Sequence, residues 1–371
     1  MHKVCVMTDV HWILDNRINK EIRTLVKAGY DVSYVAPATA EEVKKFNELN
    51  PDVKVFPINR YESRRKRMTK GVKEAYKAAL STGAEIYHFH DPELIRVGIL
   101  LKLRGKKVIY DVHENYHSVL ISRRKSKILG FLLKVGYVFF EKIANSFFDG
   151  IVVVTPNVKN YFSERKTIIL PNYPELSVFE KMNGKKSKSE RVEFIYIGGI
   201  SIQRGIKEMV EATAKAYKEC NLKLVVIGKS IDEESKEYLE LKEDYFTYQK
   251  QLPHEEALKV AMLADVGMIV LHPTQNHLNS SPVKLFEYMA LGLPVIASNF
   301  PKWHEYMDEA NCAVYVDPMN VEDIAEKMIF LAKNRKLAQE MGERGKKLVF
   351  EKYNWKKVEK RLIDLYKKVV S

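Results

Sequence analysis

The chain has 371 residues, of which 46% are apolar and 29% charged, so its length suits two globular domains and its composition excludes a low-complexity protein. Lysine and arginine exceed the acidic residues by 13, which favours acidic partners such as phosphorylated small molecules, anionic membranes or nucleic acid. The three cysteines lie far apart, which excludes a disulfide framework and a cysteine-based zinc site.

The apolar segments bear on cellular location. Met1–Thr8 has no apolar region of signal-peptide length. The chain also lacks a run of about 18 apolar residues that would predict a membrane span. We therefore expect a cytoplasmic protein.

Two short apolar strands are predicted near the start, at Val4–Thr8 and Asp31–Ala36. Between them Ile18, Ile22 and Leu25 recur at helical spacing. A strand–helix–strand unit predicts a parallel sheet, so residues 1–172 are expected to form one α/β domain. Its further predicted strands are Ile86–His90, Lys107–Val112, Ile151–Thr155 and Thr167–Leu170.

Two basic segments interrupt this domain, Arg60–Lys73 and Arg123–Lys127. The second leads into residues 128–148, which are rich in Leu, Val and Phe. This pattern fits a helix lying on the anionic inner face of the cell membrane. It also fits a core helix with a solvated basic end, which is the favoured interpretation, and the membrane interpretation remains open.

A polar stretch at Asn172–Glu190 predicts the linker to a second domain. The strand Val192–Ile197, a turn at Gly198–Gly199, a helical face and the strand Leu222–Ile227 then repeat the strand–helix–strand pattern. Residues 173–354 are thus predicted to form a second α/β domain, with a ligand between the two. The remaining predicted strands are Tyr245–Tyr248, Val266–Leu271, Pro294–Ser298 and Ala313–Val316, and the closing helices are Val321–Ala332, Lys336–Phe350 and Trp355–Val370.

The segment Asn279–Asn299 is the most informative part of the second domain. It predicts a buried helix with Ser281 as N-cap and Pro282 at the first helical position, ended by a left-handed Gly292. Lys284 and Glu287, three residues apart, are the charged residues on this helix. Buried charges must either pair with each other or bind a ligand.

Two features of the second domain point to a phosphate ligand. Ser280 and Ser281 precede a helix whose N-terminal N–H groups favour an anion. The turn Gly198–Gly199 lets backbone approach a pyrophosphate, and Arg204 can add a positive charge. The spacing differs from the dinucleotide G-x-G-x-x-G motif, and no Walker lysine motif occurs. With a sugar hydroxyl on Glu287, the pattern suggests a nucleotide-sugar site.

Five stretches distributed along most of the chain resemble the retaining glycosyltransferases of family 4, which have the GT-B fold. They are D-N-R-I-N-K-E-I-R-T-L-V-K-A-G-Y-D-V, H-F-H-D-P-E-L, Y-D-V-H-E-N-Y, Y-I-G-G-I-S-I-Q-R-G-I and S-P-V-K-L-F-E-Y-M-A-L-G-L-P-V-I-A-S. The last is the most specific. The resemblance implies two Rossmann-like domains with parallel sheets facing a central cleft, an acceptor-binding first domain, a donor-binding second domain, and a terminal helix, residues 355–371, that packs back on the first.

The resemblance also implies roles for individual residues of the second domain. Glu287 matches the second glutamate of the family's Glu-x7-Glu pair, which holds the donor ribose, and Arg204 matches the basic residue that neutralises the diphosphate. Ser281 and Lys284 lie where donor phosphate or sugar is expected, unless Lys284 pairs with Glu287. The remaining donor-binding candidates are Gly198, Gly199, Gln251, Leu252, Asn279, Ser280 and Glu305.

Two positions depart from the family pattern. Asn279 stands where the first glutamate of the pair is expected, and an amide can hydrogen-bond a sugar but carries no charge. Gly199 stands where many members have an arginine, which leaves Arg204 as the main positive charge on that turn. We infer modified donor recognition or, as an alternative, loss of catalysis.

In the first domain the resemblance implies that His113 lies beside the donor sugar, and that His90, Asp91 and Glu114 contact the acceptor. Arg17 is expected either to bind an acceptor phosphate or to cap local structure. His88, His90 and Asp91 are also compatible with a metal site. Because family members generally need no metal, we expect these three residues to form one wall of the cleft. We expect the protein to use neither a metal nor another cofactor.

The resulting prediction is a retaining glycosyltransferase that moves a sugar from a nucleotide-diphosphate sugar to a hydroxyl of a lipid-linked or cell-surface glycan precursor. The alternatives are a nucleotide-sugar epimerase of the same architecture and a non-catalytic nucleotide-sugar-binding homologue. Nucleic acid is disfavoured as a partner because no recognition motif for it occurs.

Overall fold

A computed structural model describes residues 1–112, 138–139, 141–182 and 189–371 of the chain. The chain divides into two compact units. Unit 1 consists of Met1–Pro171 and Val358–Ser371, and unit 2 of Asn172–Lys357. The predicted residues His113 and Glu114 and the predicted basic segment Arg123–Lys127 lie outside the described residues.

Unit 1 is built on a seven-stranded sheet in which every described strand pair is parallel. The strand order is β3-β2-β1-β4-β5-β6-β7, so the chain first builds the sheet outward from β1 on one side and then crosses to the other. This is a doubly wound sheet, in which side chains that follow β1, β4 and β5 meet at one edge. The strands are β1 Lys3–Met7, β2 Asp31–Pro37, β3 Lys54–Ile58, β4 Ile86–Phe89, β5 Lys107–Val112, β6 Gly150–Val153 and β7 Thr167–Ile169.

Helices connect these strands. The side chain of Asp15 accepts from the backbone N–H groups of Arg17 and Ile18 and so caps the first helix, whose predicted stripe of Ile18, Ile22 and Leu25 is buried. The longer helices are α1 Asn16–Lys27, α2 Ala40–Leu49, α3 Val72–Ser81 and α4 Ile95–Leu103; shorter helical turns occur at Arg64–Lys66, Arg67–Gly71, Pro92–Leu94, Pro156–Lys159 and Glu164–Lys166.

Unit 2 is built on a six-stranded sheet with the same winding. Its order is β10-β9-β8-β11-β12-β13, and all its described pairs are parallel, as predicted for two Rossmann-like domains. Apolar side chains on both faces of the sheet are buried, including Ile195 and Ile227 on one face and Phe194 and Val226 on the other. The strands are β8 Val192–Ile197, β9 Leu222–Gly228, β10 Phe246–Lys250, β11 Val266–Ile269, β12 Val295–Ser298 and β13 Ala313–Val316.

The helices of unit 2 cover both faces of this sheet. Within the described residues no helix of either unit is long and apolar enough to cross a membrane. The longer helices are α5 Ile206–Tyr217, α6 His254–Leu263, α7 Val283–Ala290, α8 Pro301–Met307, α9 Val321–Lys333 and α10 Arg335–Glu351, followed by α11 Trp355–Val370, most of which belongs to unit 1; shorter turns occur at Leu176–Glu180, Ile202–Arg204, Lys236–Leu239, Gln275–Leu278 and Asp308–Ala310.

The last helix returns to the first sheet. From Val358 onward its residues belong to unit 1. The hydroxyl of Tyr366 lies 2.9 Å from Nδ1 of His88 on β4, and its ring packs edge-on against Tyr30 with centroids 5.3 Å apart. Arg361 donates from Nη1 to the carbonyl oxygen of Ile169 at 3.0 Å.

Helix α7 corrects one prediction about its start. The N-cap is Pro282 rather than Ser281, and the helix begins at Val283. The hydroxyl of Ser281 instead lies 2.6 Å from that of Tyr306 on α8, so it does not cap the helix. The predicted end is confirmed, because Gly292 follows the helix with a left-handed φ of 74°.

Candidate active site

The order of strands in unit 2 creates a switch point at one edge of the sheet. The chain leaves β8 toward β9, whereas β11 lies on the other side of β8. The connections that follow β8 and β11 therefore lead to opposite sides of this point, although the two loops touch where the N–H of His272 donates to the carbonyl oxygen of Gln203 at 3.0 Å. Doubly wound proteins bind ligands at such a switch point, beyond the carboxyl ends of the strands. Gly198 directly follows β8, and residues 270–282 connect β11 to α7.

The predicted turn at Gly198 is held from several sides. The N–H of Gly198 donates to the carbonyl oxygen of Ile227 at 2.9 Å. The hydroxyl of Tyr196 donates to the carbonyl oxygen of Gly199 at 2.7 Å. Asp232 accepts from the N–H of Ile202 at 3.0 Å. The backbone at the ligand-facing edge is thus fixed in place before any ligand binds.

Lys284 projects from α7 onto this turn. Its ammonium nitrogen is buried without a hydrogen-bond partner among the described residues, and it lies 4.2 Å from the centre of the Tyr196 ring. Burial lowers the pKa of Lys284 and nearby Arg204 lowers it further, against the opposing effect of Tyr196 and Glu287. The ion pair between Lys284 and Glu287, considered from the sequence, is absent from the described part of the chain.

Glu287 has a different partner, which the sequence did not identify. Its Oε1 lies 2.7 Å from Nε2 of His254, the first residue of α6, and Glu287 is 7% exposed. His254 lies 33 positions away in the chain and belongs to no motif. The available signal was its place just after the predicted base-binding segment Gln251–Leu252, at the same edge of the sheet.

The other donor-binding candidates lie around the loop before α7. Ser280 donates from Oγ to the carbonyl oxygen of His277 at 2.9 Å. Asn279 is exposed and donates from Nδ2 to the carbonyl oxygen of Gln275 at 3.1 Å. Glu305 is exposed on α8 and forms an ion pair with its neighbour Lys302. The remaining two differ in accessibility: Gln251 is exposed and Leu252 half-buried.

A cavity of about 460 Å³ lies at the opposite end of α7, where it is lined by Ala290, Leu291 and Gly292. It also contacts Val192 and Val266, the first residues of β8 and β11. The amino ends of parallel strands are not where doubly wound proteins bind their ligands. We therefore assign the site to the Gly198 turn and not to this cavity.

In unit 1, four ionisable side chains meet in the core beneath the carboxyl ends of β4 and β5. These are Glu21, His88, His90 and Asp111; their nearest ligating atoms all lie within 4.8 Å of one another, and all four are buried. Burial and the charge of Asp111 raise the pKa of Glu21 well above its usual range, and Arg17 opposes the shift.

Arg17 supplies the positive charge of this cluster. Its Nη2 donates to both carboxylate oxygens of Asp111, at 2.8 and 3.0 Å, and its Nε lies 3.3 Å from Glu21. A third contact runs from Nη1 to the carbonyl oxygen of Leu170 at 3.0 Å, and Arg17 is 4% exposed. Arg17 therefore joins α1, β5 and the end of β7 inside unit 1.

Asp91 lies outside that cluster, although the sequence suggested it as a partner of His88 and His90. It accepts from the hydroxyl of Thr8 and from the N–H of Asp9, the latter at 2.9 Å. Its Oδ1 is 3.3 Å from Nε2 of His11. The residues that stand beside the two histidines are Glu21 and Asp111, which come from α1 and β5.

His11 lies between two carboxylates. Its Nδ1 is 3.4 Å from Asp15 and its Nε2 faces Asp91. Burial alone would lower the pKa of His11, but the hydrogen bond to Asp15 and the charge of Asp91 raise it to about 9. In the same loop, burial and Asp91 raise the pKa of Asp9 to about 8.

Two doubly wound parallel sheets in tandem, with a glycine turn and two nearby cations at the switch point of the second, are typical of the GT-B class. The sequence family "Glycosyltransferase Family 4" matches residues 17–172, and "Glycosyl transferases group 1" matches residues 178–348. The chain therefore belongs to the group 1 glycosyltransferases, family 4, and is a glycosyltransferase enzyme, as its motifs predicted.

Two relatives come from Methanocaldococcus jannaschii. The uncharacterised glycosyltransferase MJ1069 is 23% identical over 287 residues, which are 73% of this chain and 70% of the relative. The uncharacterised glycosyltransferase MJ1607 is 26% identical over 207 residues, which are 52% of this chain and half of the relative's length.

Solved structures share the fold over the full length. Sucrose-phosphate synthase from Thermosynechococcus elongatus superimposes with a TM-score of 0.74 at 17% identity, covering 100% of this chain and 99% of that one. Anabaena HepE in complex with UDP and glucose superimposes with a TM-score of 0.73 at 11% identity, covering 99% and 100%. The predicted GT-B architecture is confirmed.

Proposed function

We propose that this enzyme transfers a sugar from a nucleotide-diphosphate sugar to a hydroxyl of a lipid-linked or cell-surface glycan precursor, with retention of configuration. One observation carries the donor part of the proposal. At the switch point of unit 2 the Gly198 turn adjoins two cations, Arg204 and Lys284. The carboxylate of Glu287 is oriented by its contact with His254. A glycine turn with adjacent cations suits a diphosphate, and an oriented carboxylate suits a ribose hydroxyl.

Structural neighbours support this choice of donor class. Anabaena HepE has been solved in complex with UDP and with UDP-glucose, and an E. coli trehalose-6-phosphate protein was solved with UDP-2-fluoro glucose bound. These ligands belong to those proteins. For this chain they favour testing uridine nucleotides first.

In the proposed reaction the bond from the sugar to the leaving diphosphate breaks while the acceptor oxygen attacks the same face of the sugar. Charge then builds up on the diphosphate, where Arg204 and Lys284 beside the Gly198–Gly199 turn would stabilise it. The leaving phosphate oxygen takes the acceptor proton, so the scheme uses no side-chain base and no metal. His113, with the neighbouring Glu114, is proposed to position sugar and acceptor.

The acceptor is proposed to bind unit 1. Arg17, His90 and Asp91 were predicted to contact it, but all three are buried within unit 1, which does not support direct contact. We propose instead that they hold the carboxyl ends of β1, β4 and β5 in the shape that the acceptor needs. Their role is then to position other groups.

Association with the inner face of the cell membrane is part of the proposal. Arg64, Arg65, Lys66 and Lys70 are exposed on the helical segment that precedes α3. Clustered basic side chains attract anionic lipid headgroups, at about 1 kcal/mol for each residue near the surface. Such contact would bring the enzyme to a lipid-linked acceptor.

A turnover experiment tests the proposed reaction. The protein is incubated with UDP-, GDP- and ADP-sugars, with and without lipid-linked saccharides, and NMR follows both the sugar nucleotide and the anomeric proton of the product. We expect acceptor-dependent consumption of one donor and a product with the donor's anomeric configuration. An inverted product would contradict retention, and conversion of the free sugar nucleotide without acceptor would indicate an epimerase.

A further inference from the structure

We propose that the exposed ring of Trp12 is a stacking platform for a sugar ring of the acceptor, so that the enzyme extends a saccharide and does not glycosylate a bare lipid phosphate. The inference rests on the proposed function, because it concerns the acceptor-binding role of unit 1. It adds a specificity-determining residue in the connection between β1 and α1, outside all the motifs of the chain.

Trp12 differs from the other tryptophans of this chain in its exposure. Its side chain is 47% exposed, whereas Trp303 is 0% and Trp355 is 2% exposed. Isolated exposed apolar side chains are common on protein surfaces and carry no function by themselves. Trp12 differs from such residues because polar contacts fix its ring in the exposed position.

The first of these contacts is made by the indole N–H. Nε1 of Trp12 donates to Oε1 of Glu42 at 2.8 Å. Glu42 also accepts from Nη2 of Arg60 at both oxygens, at 3.2 Å each, and from the N–H of Thr39 at 2.9 Å in the capping box of α2. Partial burial raises the pKa of Glu42, but the hydrogen bonds from these three partners outweigh it and lower the pKa. Glu42 is therefore a charged anchor for the indole.

The backbone that carries the ring is held as well. The carbonyl oxygen of Trp12 accepts from the N–H of Asp15, the N-cap of α1, at 2.8 Å. Earlier in the same connection, Asp91 accepts from the N–H groups of Asp9 and Val10 at 2.9 and 3.3 Å. A side chain that is already fixed loses little conformational entropy when a ligand binds to it. The ring is thus preorganised as a contact surface.

The ring and its anchor belong to the carboxyl edge of the first sheet. Trp12 follows β1, and Nη2 of Arg60 donates to the carbonyl oxygen of Pro37, the last residue of β2, at 3.3 Å. Doubly wound proteins bind their ligands beyond this edge. The ring therefore lies on the side of unit 1 where an acceptor is expected.

A sugar ring suits this surface better than a phosphate or a hydrocarbon chain. The apolar C–H face of a pyranose can pack on the flat indole while the sugar hydroxyls remain in water. The half-exposed guanidinium of Arg60 can donate to such a hydroxyl, whereas a hydrocarbon chain would leave it unused. A phosphate has no apolar face for the ring. An acceptor that already carries a sugar must come from an earlier sugar or sugar-phosphate transfer.

Tryptophan fluorescence of the full chain tests the inference, because Trp12 is exposed and the two other tryptophans are buried. The probes are the methyl glycosides of glucose, galactose, mannose and N-acetylglucosamine, and inorganic phosphate is the anionic comparison. We expect a glycoside to shift the emission to shorter wavelength and to reduce quenching by acrylamide, both with saturation. Phosphate should change neither.

Calorimetry with the glycoside that binds measures the contribution of the ring. Trp12→Ala should lower the affinity about tenfold, and Trp12→Phe, which keeps an aromatic ring, should retain part of it. Glu42→Gln can still accept from Nε1 and should retain more affinity than Glu42→Ala. Leu49→Ala is the matched control, since Leu49 is 65% exposed at the other end of α2 and should not affect binding.

The inference is overturned if no glycoside alters the emission, or if Trp12→Ala binds the glycoside as tightly as the wild type does. An emission shift with phosphatidylserine vesicles and with none of the glycosides would assign Trp12 to a membrane surface and would also overturn it. Failure of the folded wild type to bind any nucleoside diphosphate would contradict the proposed donor site instead. The glycoside titration would still decide whether Trp12 binds a sugar.

Discussion

Nε2 of His254 lies 2.7 Å from Oε1 of Glu287, which connects the first residue of α6 to the middle of α7. A carboxylate that is 7% exposed must be oriented by its neighbours, because few water molecules can reach it. In the proposed donor site the histidine therefore acts through Glu287 and is a positioning residue.

The first prediction concerns this contact. Replacing His254→Ala removes the partner of Glu287 and should weaken nucleotide binding by about tenfold, the value of one hydrogen bond to a charged group. His254→Gln, which can still donate, should restore part of the affinity. Titration calorimetry measures both. Equal affinity in the wild type and His254→Ala would remove His254 from the site.

The second prediction concerns the buried cluster of unit 1. Arg17→Met leaves the carboxylates of Glu21 and Asp111 without their cation, so the free energy of unfolding should fall by about 3–5 kcal/mol. Urea denaturation measures the change, with the exposed Lys27→Met on the same helix as the matched control. Adding Asp111→Leu to Arg17→Met should recover much of the loss, since the pair is then removed together.

The third prediction is a pH dependence carried by His11. Because the folded state raises the pKa of His11 to about 9 from its ordinary 6.5, the folded protein binds this proton more tightly than the unfolded chain. The resulting stability is fully present below pH 6.5 and is lost as pH rises through 9. The pKa of Asp9 is also raised, to about 8, so Asp9 likewise lowers the free energy of unfolding as the pH rises toward 8.

In wild type the free energy of unfolding should fall between pH 6.5 and 9, and His11→Gln should make this fall smaller. The part of the fall that remains would come from Asp9 and other titrating groups. Denaturation curves at a series of pH values measure this, with His2→Gln as a matched control at the exposed start of the chain. An unchanged slope in His11→Gln would mean that the contacts with Asp15 and Asp91 do not hold its proton.

The fourth prediction concerns the exposed basic segment before α3. Sedimentation with vesicles should show binding to anionic phosphatidylserine membranes and little binding to neutral phosphatidylcholine. Replacing Arg64, Arg65 and Lys66 with glutamine should remove about 1 kcal/mol of membrane binding for each residue. Binding to neutral vesicles that matches the anionic ones would contradict an electrostatic contact.

Much of the fold could be predicted from the sequence because its signals are local. Strand and helix periodicity, together with Gly292, located most elements of both sheets, and motif spacing placed Arg204 and Glu287 at one edge. The partners of buried charges could not be predicted, because they come from distant parts of the chain. The bonds of His254 with Glu287 and of Arg17 with Asp111 exist only once the sheets have formed.

Titration calorimetry in the presence of EDTA tests whether the Gly198 turn forms a metal-independent nucleotide-diphosphate site. We expect the wild type to bind one of UDP, GDP or ADP, and Glu287→Ala and Arg204→Ala each to weaken this binding by about tenfold or more while remaining folded. Binding that is unaffected by either substitution, or no binding of any of the three by the folded wild type, would contradict a donor site at this turn.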